Sequence, residues 1–318
     1  IVKEPSIGPP DIYLGGKVRK VELETGVECW AFSSSQYVQE AVRNVRKCLE
    51  KRNDHLKFHL PKKAPAPMSN DYRPEIDISK ELDATDAAYY QSLIGIVRWM
   101  VELGRVDICC EVSMLSSCLA LPREGHLQQL LHMFSYLEKK HNTEMVFDPS
   151  VPHIDQSMFP RQDWSNTVYA TADCMTSDGK MEEKLPEDLP EAHGRGFVMR
   201  VFVDSDHAGD SVTRRSRTGF LVYLNNALVY WTSKKQTGVE TSSFGSEFMA
   251  MKHATEYVRG LRYKLRSMGI PVDDCTYIFG DNQSVLANTT APHSQLKKKS
   301  NSVAYHHCRE GVAFDEWR

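Results

Sequence analysis

The sequence predicts a mixed α/β chain, α+β in arrangement: a small helical subdomain followed by a sheet-based domain with flanking helices. Three observations predict it. Between residues 85 and 140, apolar side chains recur at helical spacing in three runs joined by short links. Between 198 and 232, three short runs rich in β-branched and aromatic residues follow one another at hairpin distance. A polar, acidic, proline-broken stretch from about 149 to 194 separates the two patterns.

In chain order, residues 1 to 33 carry short extended pieces, Ile12 to Leu14 and Val18 to Val21, broken at Gly15-Gly16. Ser33-Ser34-Ser35 is an N-cap signal for a helix with Val38, Val42, Val45 and Leu49 near one face. Pro61 to Pro74 reads as an extended connector. Thr85-Asp86 can cap a helix carrying Leu93, Ile96, Val97 and Met100. Asp107 can cap the next, with Val112, Leu115 and Leu119 inward and Pro122 as its stop. A third helix, Gly125 to Lys140, turns Leu127, Leu130, Leu131, Phe134 and Leu137 to one side. Three such helices make a compact subdomain.

Past the acidic stretch, strands are expected at Val198–Val203, Gly219–Leu224 and Leu228–Thr232, with Asn225-Asn226 as a two-residue hairpin because Asn tolerates positive φ. A long helix starts near Ser242-Ser243, keeps Phe248, Met251, Val258, Leu261 and Leu265 near one side, and stops at Gly269 and Pro271. Thr276–Phe279 is a short buried strand, and Ser284 starts another helix. The expected domains are 1–148, a linker at 149–194, and 195–318.

Composition sets bounds. With 318 residues, 41% hydrophobic and 25% charged, the chain has the make-up of a globular protein with about two domains. The net charge of −3 hides local contrast: Glu182 to Glu191 is acidic, whereas Arg214-Arg215, Lys234-Lys235 and Lys297-Lys298-Lys299 are basic. Eight cysteines show no zinc spacing, and Cys109, Cys110 and Cys118 read as small buried hydrophobes in a reducing compartment. No apolar run reaches the roughly 20 residues of a membrane span, so no membrane partner is expected.

The chemistry is carried by carboxylates. Asp204 and Asp206 sit at the end of the first strand of the sheet domain, Glu247 near the start of the long helix, and Asp281 just after the buried strand. An Asp after a strand is most often a turn or cap residue. Three chain-distant acids at strand ends and a helix start can instead converge on hard divalent cations. Asp206 is the weaker member, facing the same side as Asp204 unless it begins the turn. Glu247, taken as lying in the helix's first turn, is expected to be held ionised by the helix dipole. His207 reads as a surface histidine rather than a proton shuttle, and Trp231 as core under the sheet rather than a sugar contact.

The words around these acids resemble a family. The runs VDSDHAGD, TRRSRTGFLVYL, WTSKKQ, VETSSFGSEFMAM and GDNQSV look like the ribonuclease H domain of copia-type LTR retrotransposon Pol polyproteins. Upstream, Asp11–Gly15, Ser34–Val38, Tyr89–Gly95 and Arg105–Ile108 are similar to segments of that family running from the end of the reverse transcriptase palm through the thumb and connection. The polymerase's Tyr-x-Asp-Asp box occurs nowhere in the chain, so no polymerase activity is expected.

The resemblance implies a ribonuclease H-like mixed sheet of five strands, lacking its last helix, because the family's fourth metal-binding Asp lies in a helix beyond Arg318. It also implies a piece of a longer polyprotein, since the chain opens on Ile1. Asp204, Glu247 and Asp281, with Asp206, would hold two Mg²⁺ or Mn²⁺ ions. Arg214, Arg215, Lys234, Lys235, Lys297, Lys298 and Lys299 would contact an RNA–DNA hybrid. The remainder of Pol would be the protein partner, in a cytoplasmic virus-like particle or the nucleus. Three readings follow: a ribonuclease H, a non-catalytic nucleic-acid-binding remnant, and a DNA-cutting nuclease of the same fold.

Overall fold

A computed structural model describes residues 8–52, 57–170, 175–176, 180–183, 185–296 and 299–318. It is mixed α and β, and the chain divides into two compact units, Ile1–Asp148 and Pro149–Arg318.

In unit 1, strands β1 (Ile12–Tyr13), β2 (Gly16–Glu22), β3 (Glu28–Ser33) and β4 (Met145–Phe147) form an antiparallel sheet in that order. Helices α1 (Ser35–Lys51), α2 (Ala84–Glu102), α3 (Cys109–Ser116) and α4 (Glu124–Lys139) supply the core. The stripes read from periodicity meet there: Val38, Val42 and Val45 against Leu93, Val97, Leu127, Leu130 and Phe134. Two helix starts differ from expectation. Asp83 caps α2, its carboxylate accepting the Asp86 N–H at 2.9 Å, because the helix begins a residue earlier than Thr85. Asp107 caps nothing; it takes both arms of the buried Arg105 guanidinium at 2.8 and 2.7 Å. α4 is opened by His126, whose Nδ1 accepts the Arg123 N–H at 2.9 Å, so Nε2 must carry the proton it shares with the Pro74 carbonyl.

Unit 2 holds a second sheet, ordered β7-β6-β5-β8, from β5 (Phe197–Asp206), β6 (Arg217–Leu224), β7 (Ala227–Lys235) and β8 (Val272–Phe279). The first three strands are antiparallel neighbours, while β8 returns parallel to β5 after α5 (Ser243–Ser267). Helices α6 (Gln283–Thr290) and α7 (Ser302–Ala313) follow. The hairpin at Asn225 has φ of +53°, and that buried side chain accepts the Val198 N–H at 2.9 Å, pinning the turn to β5. Where a fifth strand is expected, residues 316–318 run alongside β8 with one parallel bridge, Thr276 to Trp317, and hydrogen bonds of 2.8 to 2.9 Å.

Alternation along β5 sorts the sheet's faces. Met199, Val201 and Val203 pack with Phe220, Val222 and Ile278 beneath Phe248, Met251 and Val258 of α5 and Tyr305 and Cys308 of α7. Arg200, Phe202, Asp204 and Asp206 point the other way, where Phe202 stacks on Phe279 at 4.9 Å. Trp231 shares that outer face, since it pairs with Leu221, which pairs with Phe202. It is half-buried there and not under the sheet as expected; Tyr230, its neighbour, takes the core side against Tyr257.

The stretch expected as a linker is built into unit 2. Its Trp164, Tyr169 and Met181 form a small core with Ala313. The Glu183 carboxylate accepts from Arg262 at 2.9 Å and Arg266 at 2.6 Å of α5. Burial pushes that carboxyl's pKa up, and the two guanidiniums more than reverse it. Glu183 thus serves as a counter-ion to α5. None of the seven described cysteines is in a disulfide.

Candidate metal centre

Each acid is delivered by a different element. Asp204 stands near the end of β5, solvent-exposed between the buried Val203 and Ser205, with its own carboxylate accepting the Ser205 N–H at 2.7 Å. Asp281 follows Gly280 at the end of β8, just before Asn282, whose side chain caps α6 by accepting the Ser284 and Val285 N–H groups at 3.1 Å. Glu247 lies in α5, whose N-cap is Ser242, accepting the Gly245 N–H at 3.3 Å. The helix starts at Ser243, so Glu247 is its fifth residue rather than a member of the first turn.

These three side chains offer carboxylate oxygens that all lie within 4.8 Å of one another. Among the described residues no Lys or Arg pairs with any of them. The Glu247 carboxyl is accordingly raised above its ordinary range. Burial is the main cause and the Ser205 groups oppose it, but the negative charges of Asp204 and Asp281 add to it. The lowering of the Glu247 pKa expected from the helix dipole is not what prevails: burial first, then the two like charges, push it up, and the dipole fades beyond the first turn. A concentration of hard, uncompensated oxygen donors fits a divalent cation.

Asp206 does not join the group. Its carboxylate folds over Gly209, where a Cβ would displace it. It is the last residue of β5, not the first of the turn.

The following loop is tightly organised. Asp210 Oδ1 accepts the Val212 and Thr213 N–H groups at 3.2 and 2.7 Å, and its Oδ2 accepts from Lys235 Nζ at 2.9 Å. Partial burial raises its pKa, but Lys235 and the Thr213 groups prevail and bring it down to about 2. Lys235 thus already has a partner, whereas Arg214, Arg215 and Lys234 are exposed and in no ion pair among the described residues. Lys299 is exposed in the turn before α7, while Lys297 and Lys298 lie outside the described residues. His207 is exposed, with Nδ1 3.2 Å from the Ser246 hydroxyl. Of the His306–Cys308 run, Cys308 is buried in the core and His306 bonds Tyr169, so it is structural. Spacing alone could not single out Ser216, Gln236 or Ser246, which are buried polar residues around this site; they were visible only inside the family words.

No protein-family model matches the chain. It is 23% identical over 239 residues to the retrovirus-related Pol polyprotein from transposon RE1 of Arabidopsis thaliana, covering 75% of the chain and 13% of that polyprotein. Its match to the Pol polyprotein from transposon TNT 1-94 of Nicotiana tabacum is 23% over 261 residues, 74% of the chain and 20% of the relative. The chain is also 26% identical over 177 residues to secreted RxLR effector protein 161 of Plasmopara viticola, covering 56% of the chain and 94% of that protein. The match thus spans only a small part of the transposon polyproteins.

Proposed function

Taking this chain as kin to the Pol polyproteins of copia-type retrotransposons, we propose that unit 2 is a ribonuclease H that hydrolyses the RNA strand of RNA–DNA hybrids. The observation that carries this reading is the meeting of Asp204, Glu247 and Asp281, from two parallel strands and the helix between them, within 4.8 Å. These three side chains would hold two Mg²⁺ or Mn²⁺ ions. Such ions supply an acidified attacking water and charge neutralisation at the scissile phosphate.

The chain's own groups do the rest. Glu247 must be ionised for the centre to load, and its raised pKa makes loading weaken sooner as pH falls than it would with an ordinary carboxylate. The exposed Arg214, Arg215 and Lys234 meet backbone phosphates through charge, which positions a duplex without reading sequence. Choosing RNA over DNA requires contact with the 2′-hydroxyl. The remainder of Pol is the protein partner in this reading.

A second reading, a nucleic-acid-binding unit that does not cut, is favoured by one observation: Asp206 stays out of the cluster, leaving it three carboxylates. A labelled RNA–DNA hybrid in Mg²⁺ separates the readings. Cleavage abolished by Asp281→Asn supports the ribonuclease. Binding without cleavage at any metal concentration supports the second reading, and equal cutting of duplex DNA would indicate a DNA nuclease.

A further inference from the structure

We propose that Gln236 is a positioning residue that fixes Glu247 toward Asp204 by bonding the peptide on which Glu247 hangs. This rests on the reading of the three acids as a metal site. Gln236 follows the last residue of β7 and is 5% exposed. Its backbone N–H donates to the Ser216 carbonyl at 2.8 Å. Its side-chain amide uses both protons inside the protein: Nε2 donates to Thr218 Oγ1 at 3.0 Å and to the Ser246 carbonyl at 2.9 Å.

That second acceptor is informative. The Ser246 carbonyl belongs to the peptide joining Ser246 to Glu247, within the first five residues of α5. A helix carbonyl accepts from the N–H four residues on. A further donor from a different element restrains the rotation of that peptide, and with it the direction in which the Glu247 side chain leaves the helix.

The contact belongs to a closed set. Ser246 is fully buried; its hydroxyl donates to the Ser243 carbonyl at 2.9 Å and lies 3.2 Å from His207 Nδ1, on the loop just past β5. The Ser216 hydroxyl accepts the Ala208 N–H at 3.0 Å, joining that loop to the strand on which Gln236 closes. Asp204 comes from β5 and Glu247 from α5, and Gln236 ties the second to the sheet through β6 and β7. A brace of this kind acts on a metal centre by holding its ligands at bridging distance, and losing such a partner costs 10–100-fold in metal affinity. A buried amide that merely satisfies itself would lower stability and leave metal affinity alone.

The test is Mn²⁺ binding to the full chain, followed by the electron paramagnetic resonance signal of free Mn²⁺ without nucleic acid, with melting measured in parallel. Wild type, Gln236→Met and Thr218→Val are compared; the last removes one acceptor of the same amide and spares the Ser246 contact. The expected result is Mn²⁺ binding about 10-fold weaker in Gln236→Met and unchanged in Thr218→Val. Should Gln236→Met prove too unstable to purify, Gln236→Asn, too short to span both acceptors, is expected to show the same loss. Folded Gln236 variants that bind Mn²⁺ like wild type overturn the positioning role and leave the metal site standing. Equal weakening in Thr218→Val overturns it too. A wild type that binds no Mn²⁺ at millimolar concentration removes the metal reading itself.

Discussion

Three crowded carboxylates that no Lys or Arg pairs with among the described residues should make the metal-free protein less stable than it could be. Asp281→Asn removes one charge and therefore two of the three repulsive pairs. At a separation of 4.8 Å or less, each pair costs at least about 0.9 kcal/mol in a water-like dielectric and about 3.5 kcal/mol at an effective dielectric of 20. Asp204 and Asp281 are exposed, so the lower figure governs, and salt trims it further. The variant should gain about 1–2 kcal/mol in EDTA, which for a unit of this size raises the melting temperature by roughly 3–6 °C. Metal reverses the ranking. An ion at 100 times its dissociation constant stabilises a binding protein by about 2.7 kcal/mol, and the variant should forgo most of that. Scanning calorimetry of both proteins in EDTA and in Mn²⁺ measures all four melts. A variant that melts below wild type in EDTA, or gains as much from Mn²⁺, would refute the picture of an uncompensated, ion-accepting cluster.

Other outcomes follow from single contacts. The Asp210 carboxyl is held at about 2 against an ordinary 3.8, so the Lys235 pair stabilises fully above the ordinary carboxylate range and is lost as pH falls toward 2. Lys235→Met should therefore lower stability at neutral pH in urea titrations, with a difference from wild type that shrinks as pH falls toward 2. Arg309 is buried, donates to the carbonyls of Asn288, Ala291 and Pro292 at 2.6–2.7 Å, and lies over the rings of Trp164 and Tyr305. Arg309→Met should cost about 3–5 kcal/mol in urea titrations, because several buried carbonyls lose their donor at about 1–3 kcal/mol each. Phe134 is fully buried in unit 1, and Phe134→Ala should cost about 3–5 kcal/mol there while Mn²⁺ binding by unit 2 is retained.

Local pattern made much of unit 2 legible. Alternation along Val198–Val203 and the Asn pair at 225–226 mark β5 to β7, and the apolar stripe from Phe248 to Leu265 marks α5. The first half of β8 was not visible, because Val272-Asp273-Asp274-Cys275 carries two exposed acids, one at φ of +55°, and becomes strand only by pairing with β5. β4 is a strand because β3 lies beside it, more than a hundred residues earlier. Trp164 and Tyr169 looked like loop residues because their partners, Arg309 and Ala313, are supplied by α7. At the site, the family words pointed to the acids. The direction of the Glu247 pKa shift is not legible in sequence, because helix position gives the dipole but neither the burial of the side chain nor the acids on β5 and β8.

The cysteines offer a handle on motion. Cys110 is exposed in unit 1, whereas Cys275 and Cys308 are buried in unit 2 with thiols pushed up to about 12 by burial. Alkylating reagents attack the thiolate, so at neutral pH they should mark Cys110 at once and reach the other two only when unit 2 opens. The slow phase of modification at Cys275 and Cys308 then becomes a clock for that opening, readable with and without divalent ions in the same tube.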